Sequence, residues 1–343
     1  LDFYKKAIDE SPDFSPAYKD LAELYFFARQ YKRAAENFDL YLQKSGNQDP
    51  EMVLRAAQFA FTADEYEKSL QLLDSVKGRI NNPIIKRMYG WGRFKTNDVD
   101  GAIENIEDFI KVAPEKVIAD DYKYLGKAYN RRASDKGYDP RGMRYLMKGA
   151  DLDTNYTESA ATYKEIGALF YKEKDYDDAI MAYTKGISLD TVKATPTDFY
   201  NLGMAYFQNA NAVGTPSGTD SLSMLNKKRG ALMQADSVFG IINTKIPDWP
   251  IAYYWRGSCL YNAYDRQENI DKGISAPHYE KFVELAQKDD NTPKGMLRVA
   301  TGYLAFYYQA TVKDLDTAKK YWTKLLEVDP NNQAAKDALG VQN

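Results

Sequence analysis

At 343 residues the chain is longer than one ordinary compact core, so it implies two or three domains or a stack whose parts touch only their neighbours. A hydrophobic content of 44%, with 14% aromatic, excludes a disordered chain, and a net charge of −3 gives no general pull towards nucleic acid or an anionic membrane. No apolar run approaches the ~20 residues that span a bilayer. One cysteine and one histidine exclude a disulfide framework, a cysteine metal cluster and any histidine-based triad.

Leu1, Phe3, Tyr4, Ala7, Ile8 and Pro12 have the spacing of one helix and its following turn. From Ser15, Tyr18, Leu21-Ala22 and Tyr25 give a first helix, and Ala34, Phe38 and Tyr41 a second. The next pair, from about Pro50, is degenerate: Val53, Ala56-Ala57 and Ala60, then Ser69, Leu73 and Val76. From Pro83 the pattern returns with Tyr89-Gly90, the turn Thr96-Asn97-Asp98, and Ala102, Ile106, Phe109 and Pro114. Tyr122, Leu125-Gly126 and Tyr129 open a fourth pair, whose second helix resumes at Gly142, Leu146 and Gly149 after a few extra residues.

The stretch from Ala160 to Lys193 is the clearest. Tyr163, Ile166-Gly167 and Phe170 lie at helical spacing, a polar turn holds Asp175 and Tyr176, and Ala179, Tyr183 and Gly186 follow. Gly167 and Ala179 are small where two backbones approach, and the aromatics fill the volume around them. A sixth pair starts with Phe199, Leu202-Gly203 and Tyr206. Its second helix (Ala235, Phe239, Ile242, Pro247) arrives late, after the breaker-rich stretch from Val213 to Ser221; across the insertion from Val213 to Gly230 a disordered loop is expected, with a site of binding specificity as the alternative. Tyr253, Gly257 and Leu260, then Tyr279, Phe282 and Leu285, make a seventh. Leu304-Ala305 and Tyr308, then Ala318, Trp322, Leu325 and Pro330, make an eighth.

These units resemble the tetratricopeptide repeat, a helix–turn–helix of about 34 residues with the form W-x2-L-G-x2-Y…A-x3-F…P. The resemblance implies an all-α fold, a right-handed superhelical solenoid of antiparallel helix pairs. Residues 1–14 read as the second half of a truncated repeat and 15–330 as about eight repeats, with insertions near 134–140, 210–230 and 265–275. Residues 331–343 read as a capping helix and tail. The start in mid-repeat is compatible with a leader or a further domain before Leu1. Cytoplasm and bacterial periplasm both remain open, and the irregular, tyrosine-rich repeats suggest a bacterial source.

Nothing in the sequence argues for an enzyme, a cofactor or a metal. His278, beside Pro277, reads as a surface or capping residue, and Cys259 as a buried thiol. The run from Asp151 to Asn155 begins like a calcium loop but has Tyr156 and Thr162 where glycine and glutamate are needed. Asn155-Tyr156-Thr157 is a chance sequon, and Gly214 to Gly218 lacks the Gly-Lys-Ser/Thr of a phosphate loop.

The resemblance also implies a concave groove lined by the first helix of each repeat. Its positions carry over to Arg87, Trp91 and Phe94, then Lys123, Tyr124, Lys127, Asn130 and Arg131, then Lys164, Tyr171 and Lys172. Tyr200, Asn201, Met204 and Phe207, with Tyr254, Trp255 and Tyr261, complete the set. Such a groove is expected to hold a peptide segment or partner subunit with acidic and apolar side chains. The competing reading is that the aromatics pack between repeats and the lysines are solvated. The Lys–Asn pair that clamps a terminal carboxylate in chaperone-binding relatives is missing: Lys19 meets Glu23, and Lys123 meets Lys127. Arg131-Arg132 with Arg141 and Arg144 does not outweigh the overall charge, so no nucleic-acid partner is expected. Alternatives are a receptor for a small ligand or glycan, and a regulatory module of a longer protein. Phe3, Tyr4 and Ile8 raise the prospect of self-association.

Overall fold

The computed structural model describes residues 1–133, 137–214, 221–287 and 292–341, and among these there is no strand. They form two compact units, Leu1–Asn155 and Tyr156–Asn343.

The first unit starts with α1 (Asp2–Glu10). Four helix pairs follow: α2 (Ser15–Phe27) with α3 (Tyr31–Ser45), α4 (Pro50–Thr62) with α5 (Tyr66–Ser75), α6 (Ile84–Lys95) with α7 (Val99–Val112), and α8 (Ala119–Arg132) with α9 (Pro140–Leu152). Tyr4 and Ile8 of α1 are partly buried against the cluster around Tyr18 and Phe38. Phe3 is 90% exposed.

The second unit pairs α10 (Tyr156–Lys172) with α11 (Tyr176–Leu189), then α12 (Pro196–Ala212) with α13 (Ser221–Lys245). Next come α14 (Pro250–Ala263), the short α15 (Arg266–Lys272) and α16 (Ala276–Ala286). Finally α17 (Lys294–Tyr307) passes through a π-helical turn, Tyr308–Val312, into α18 (Leu315–Val328), and α19 (Gln333–Leu339) follows. The loop expected across the insertion is corrected in part. Residues 215–220, like 134–136, lie outside the described residues, but from Ser221 the chain is helical, and α13 runs 25 residues. Leu232, Ala235, Phe239 and Ile242 bury one stripe of it, and the added turns continue the same helix. The insertion expected at 265–275 holds α15, which Asp265 caps through the N–H groups of Gln267 and Glu268.

Starts and stops have local causes. Asp49, Asp98, Asp139, Thr195 and Asp314 each accept a backbone N–H at a helix start, and proline opens α4, α9 and α12. Arg29, Asp64, Asn97 and Lys174 each take a left-handed φ of 57 to 67° at the turn inside a pair. After each, the next N–H returns five residues: Gln30 to Tyr25 O, Glu65 to Ala60 O, Asp98 to Arg93 O and Asp175 to Phe170 O, at 2.8–2.9 Å. These are Schellman closures built without glycine. They fold each second helix back on its first, and that contact is close: a Cβ on Gly167 would stand 2.8 Å from the Tyr183 ring, where the sequence placed a small residue.

Candidate functional site

The first helices present the residues carried over from the repeat pattern, but most of these already have partners. In the Leu1–Asn155 unit, Arg87 of α6 reaches Asp121 of α8 with Nε and Nη2, at 2.9 and 2.8 Å. Its guanidinium also lies over the Phe109 ring at 4.4 Å. Asp121 is fully buried and also accepts the N–H of Ile118, capping α8. Lys123 is bound to Asp153, at the turn after α9. Arg131 covers the Phe94 ring at 3.9 Å and donates to the Phe94 carbonyl at 2.9 Å. Trp91 stacks on Tyr124 at 5.0 Å and contacts Phe61 at 5.9 Å, with Phe94 edge-on to Tyr124. Asn130 is occupied by the Asp139 N–H and Met143 Sδ. Lys127 is half-buried on α8.

Three of the cations expected to line the groove, Arg87, Lys123 and Lys164, are therefore held in ion pairs within the fold. Several of these bonds share a span. Arg55 to Glu23 covers 32 residues, Arg87 to Asp121 34, Lys123 to Asp153 30, and Lys164 to Asp198 34. Each joins one first helix to the next repeat unit or its leading turn. The second helix pair, degenerate in sequence, supplies one of them. Arg55, with Glu23, Lys19, Gln58 and Asn82, lines a cavity of about 350 Å³ on α2, α4 and the start of α6. Sequence reasoning did not place Arg55 or Gln58 on this face. The signal available was the acid one repeat away.

In the Tyr156–Asn343 unit, Phe207 is edge-on to Trp255 at 5.0 Å, Tyr254 meets Trp255 and Phe282, and Tyr261 meets Tyr303. Phe207–Trp255 and Tyr261–Tyr303 join one pair to the next, whereas Tyr254 packs within its own pair, and all of these contacts are edge-on or tilted. Lys172 is exposed. Four predicted residues do converge. Tyr171 of α10 and Tyr200, Asn201 and Met204 of α12 line a cavity of about 150 Å³ whose remaining wall is Tyr183 of α11. Tyr183 reads from sequence as core alone. Burial, with Tyr171 and Asp198 nearby, pushes its phenol up to about 12, and burial also raises Tyr171, so both hydroxyls stay neutral. The side-chain amide of Asn201 makes no hydrogen bond among the described residues. The cavity thus offers hydroxyl, amide and thioether groups without a formal charge.

Outside these faces, Cys259 is fully buried, and desolvation raises its thiol far above the ordinary range. His278 is half-buried near the start of α16, with its imidazole pushed down by burial and by Arg256. Asp153, in the calcium-like run, is engaged by Lys123 and by the Asn155 N–H. Among the described residues no helix is long and apolar enough to cross a membrane.

No family model matches the sequence. The peptidyl-prolyl cis-trans isomerase CYP7 of Saccharomyces cerevisiae is 29% identical over 125 residues, 34% of this chain and 29% of the isomerase, so the chain spans under a third of that relative. The C-terminal part of a TPR repeat-containing protein from Cytophaga hutchinsonii is 25% identical, with a TM-score of 0.54 over 83% of this chain and 99% of that one. MamA from Desulfovibrio magneticus is 19% identical, with a TM-score of 0.43 over 53% of this chain and 97% of its own. The repeat spacing in the sequence recurs in the helix pairs and in the bonds that tie one pair to the next, and a solved repeat protein matches over nearly its full length. The chain has the all-helical, paired-helix fold of tetratricopeptide-repeat proteins.

Proposed function

We propose that this chain is a non-catalytic adaptor that holds an extended segment of a protein partner against its first helices. The cavity formed by Tyr171, Tyr183, Tyr200, Asn201 and Met204 carries the reading. Its aromatic walls and small volume suit one neutral, apolar side chain. The Asn201 amide, with a donor and an acceptor both unused, suits the N–H and C=O of the same strand. Trp91 and Trp255 are poor probes because they hold neighbouring helices. The deeply buried thiol and the single half-buried histidine support a role without covalent chemistry.

Peptide-display selection on the full chain is expected to enrich sequences with a neutral apolar residue in a fixed register. Asn201→Ala combined with Met204→Arg should abolish that enrichment and leave the circular dichroism spectrum unchanged. Enrichment that survives the double change would move the interface to another face.

A further inference from the structure

A separate cavity of about 280 Å³ lies in the Tyr156–Asn343 unit where α16 ends, α17 begins and α18 ends. It is at the small end of ligand sites. Val283, Ala286, Leu297 and Val328 give it apolar walls. Thr292, also lining it, is 7% exposed, and its Oγ1 has no hydrogen-bond partner. A buried hydroxyl is almost always bonded, so this one points to a group from outside the chain.

Three further features carry charge. The first turn of α17 has no side-chain cap, and the N–H groups of Lys294 and Gly295 make no hydrogen bond among the described residues. A free helix start of this kind attracts an anion. Lys294 and Lys324 line the same cavity, and neither belongs to an ion pair among the described residues. Glu327 is the one carboxylate among the described lining residues.

We propose that this cavity binds a free aliphatic α-amino acid of the size of leucine. The ligand carboxylate sits at the start of α17, taking hydrogen bonds from the Thr292 hydroxyl and the two lysines. Its ammonium pairs with Glu327, and its side chain lies against Val283, Ala286, Leu297 and Val328. A simple carboxylate would leave Glu327 unanswered, and a simple amine would leave the lysines and the helix start unanswered. The zwitterion satisfies both signs.

Isothermal titration of the full chain with leucine, 4-methylpentanoate, 3-methylbutylamine and an acetylated peptide ending in leucine tests this. Leucine should bind saturably, and the other three should bind at least about tenfold more weakly, each lacking one charged contact. Thr292→Val and Glu327→Gln should each weaken leucine by a similar factor, with thermal unfolding in the absence of ligand essentially unchanged. The proposal is overturned by no leucine binding up to about 10 mM, or by leucine binding that both variants leave intact. Equal binding of the acetylated peptide would overturn the free amino acid in favour of a chain terminus.

Discussion

Asp121 has no exposed surface, and its two oxygens serve both Arg87 and the Ile118 N–H. Removing Arg87 leaves a buried carboxylate without its counter-charge. Arg87→Ala is therefore expected to cost about 3–5 kcal/mol, read from urea denaturation. Combining Arg87→Met with Asp121→Asn should recover at least half of that, because no buried charge is then stranded. An equal loss in both proteins would show that Arg87 acts mainly through its packing on Phe109. Position 87 is identifiable in the sequence as lying on a first helix. What the cation does there is not, because its partner lies 34 residues away and becomes visible only when successive repeats are compared. Lys164 and Asp198 repeat the same spacing.

Within a helix pair, small residues decide how closely the backbones approach. A Cβ on Gly126 of α8 would lie 2.7 Å from the Gly142 carbonyl and 2.8 Å from the Leu146 nitrogen of α9, both backbone atoms. Gly126→Ala gains up to about 1 kcal/mol in helix propensity, but the clash costs roughly 1–3 kcal/mol, so a net loss of stability is expected. Gly230 of α13 is the control: a Cβ there meets nothing within 4 Å, and Gly230→Ala should stabilise by roughly 0.5–1 kcal/mol. A higher denaturation midpoint for Gly126→Ala would refute the close-approach argument. This level of the fold was the most legible, since Leu125-Gly126 and Gly142 mark the contact in the repeat pattern. The turns were less so. Arg29 and Lys174 occupy left-handed positions that sequence reading assigns to glycine or asparagine. The early start of α13 was hidden for another reason: its added turns bury little, so no apolar stripe announces them.

Between pairs, the stack depends on polar ties as well as on apolar surface, and these depend on acid. Burial raises the carboxyl of Asp153, but the hydrogen bonds from Lys123 and the Asn155 N–H outweigh it and hold the group below 3.8. Asp198 is likewise lowered: burial opposes the shift, and Lys164 and Thr195 prevail. A carboxyl with a depressed folded value stabilises the fold above its unfolded value, and that contribution is lost as pH falls through the folded one. Stability is thus expected to be flat from about pH 7 to 5 with respect to these groups, and to decline below 3.8. Replacing Asp153 and Asp198 together by asparagine should lower the urea midpoint at neutral pH and flatten the acid limb. An acid limb identical to that of the unchanged chain would place the acid sensitivity in other carboxylates. The same ties hold three of the cations that the repeat pattern places on the first helices, Arg87, Lys123 and Lys164. Composition counts cations, whereas the repeat spacing determines which of them are already held by the next turn of the stack.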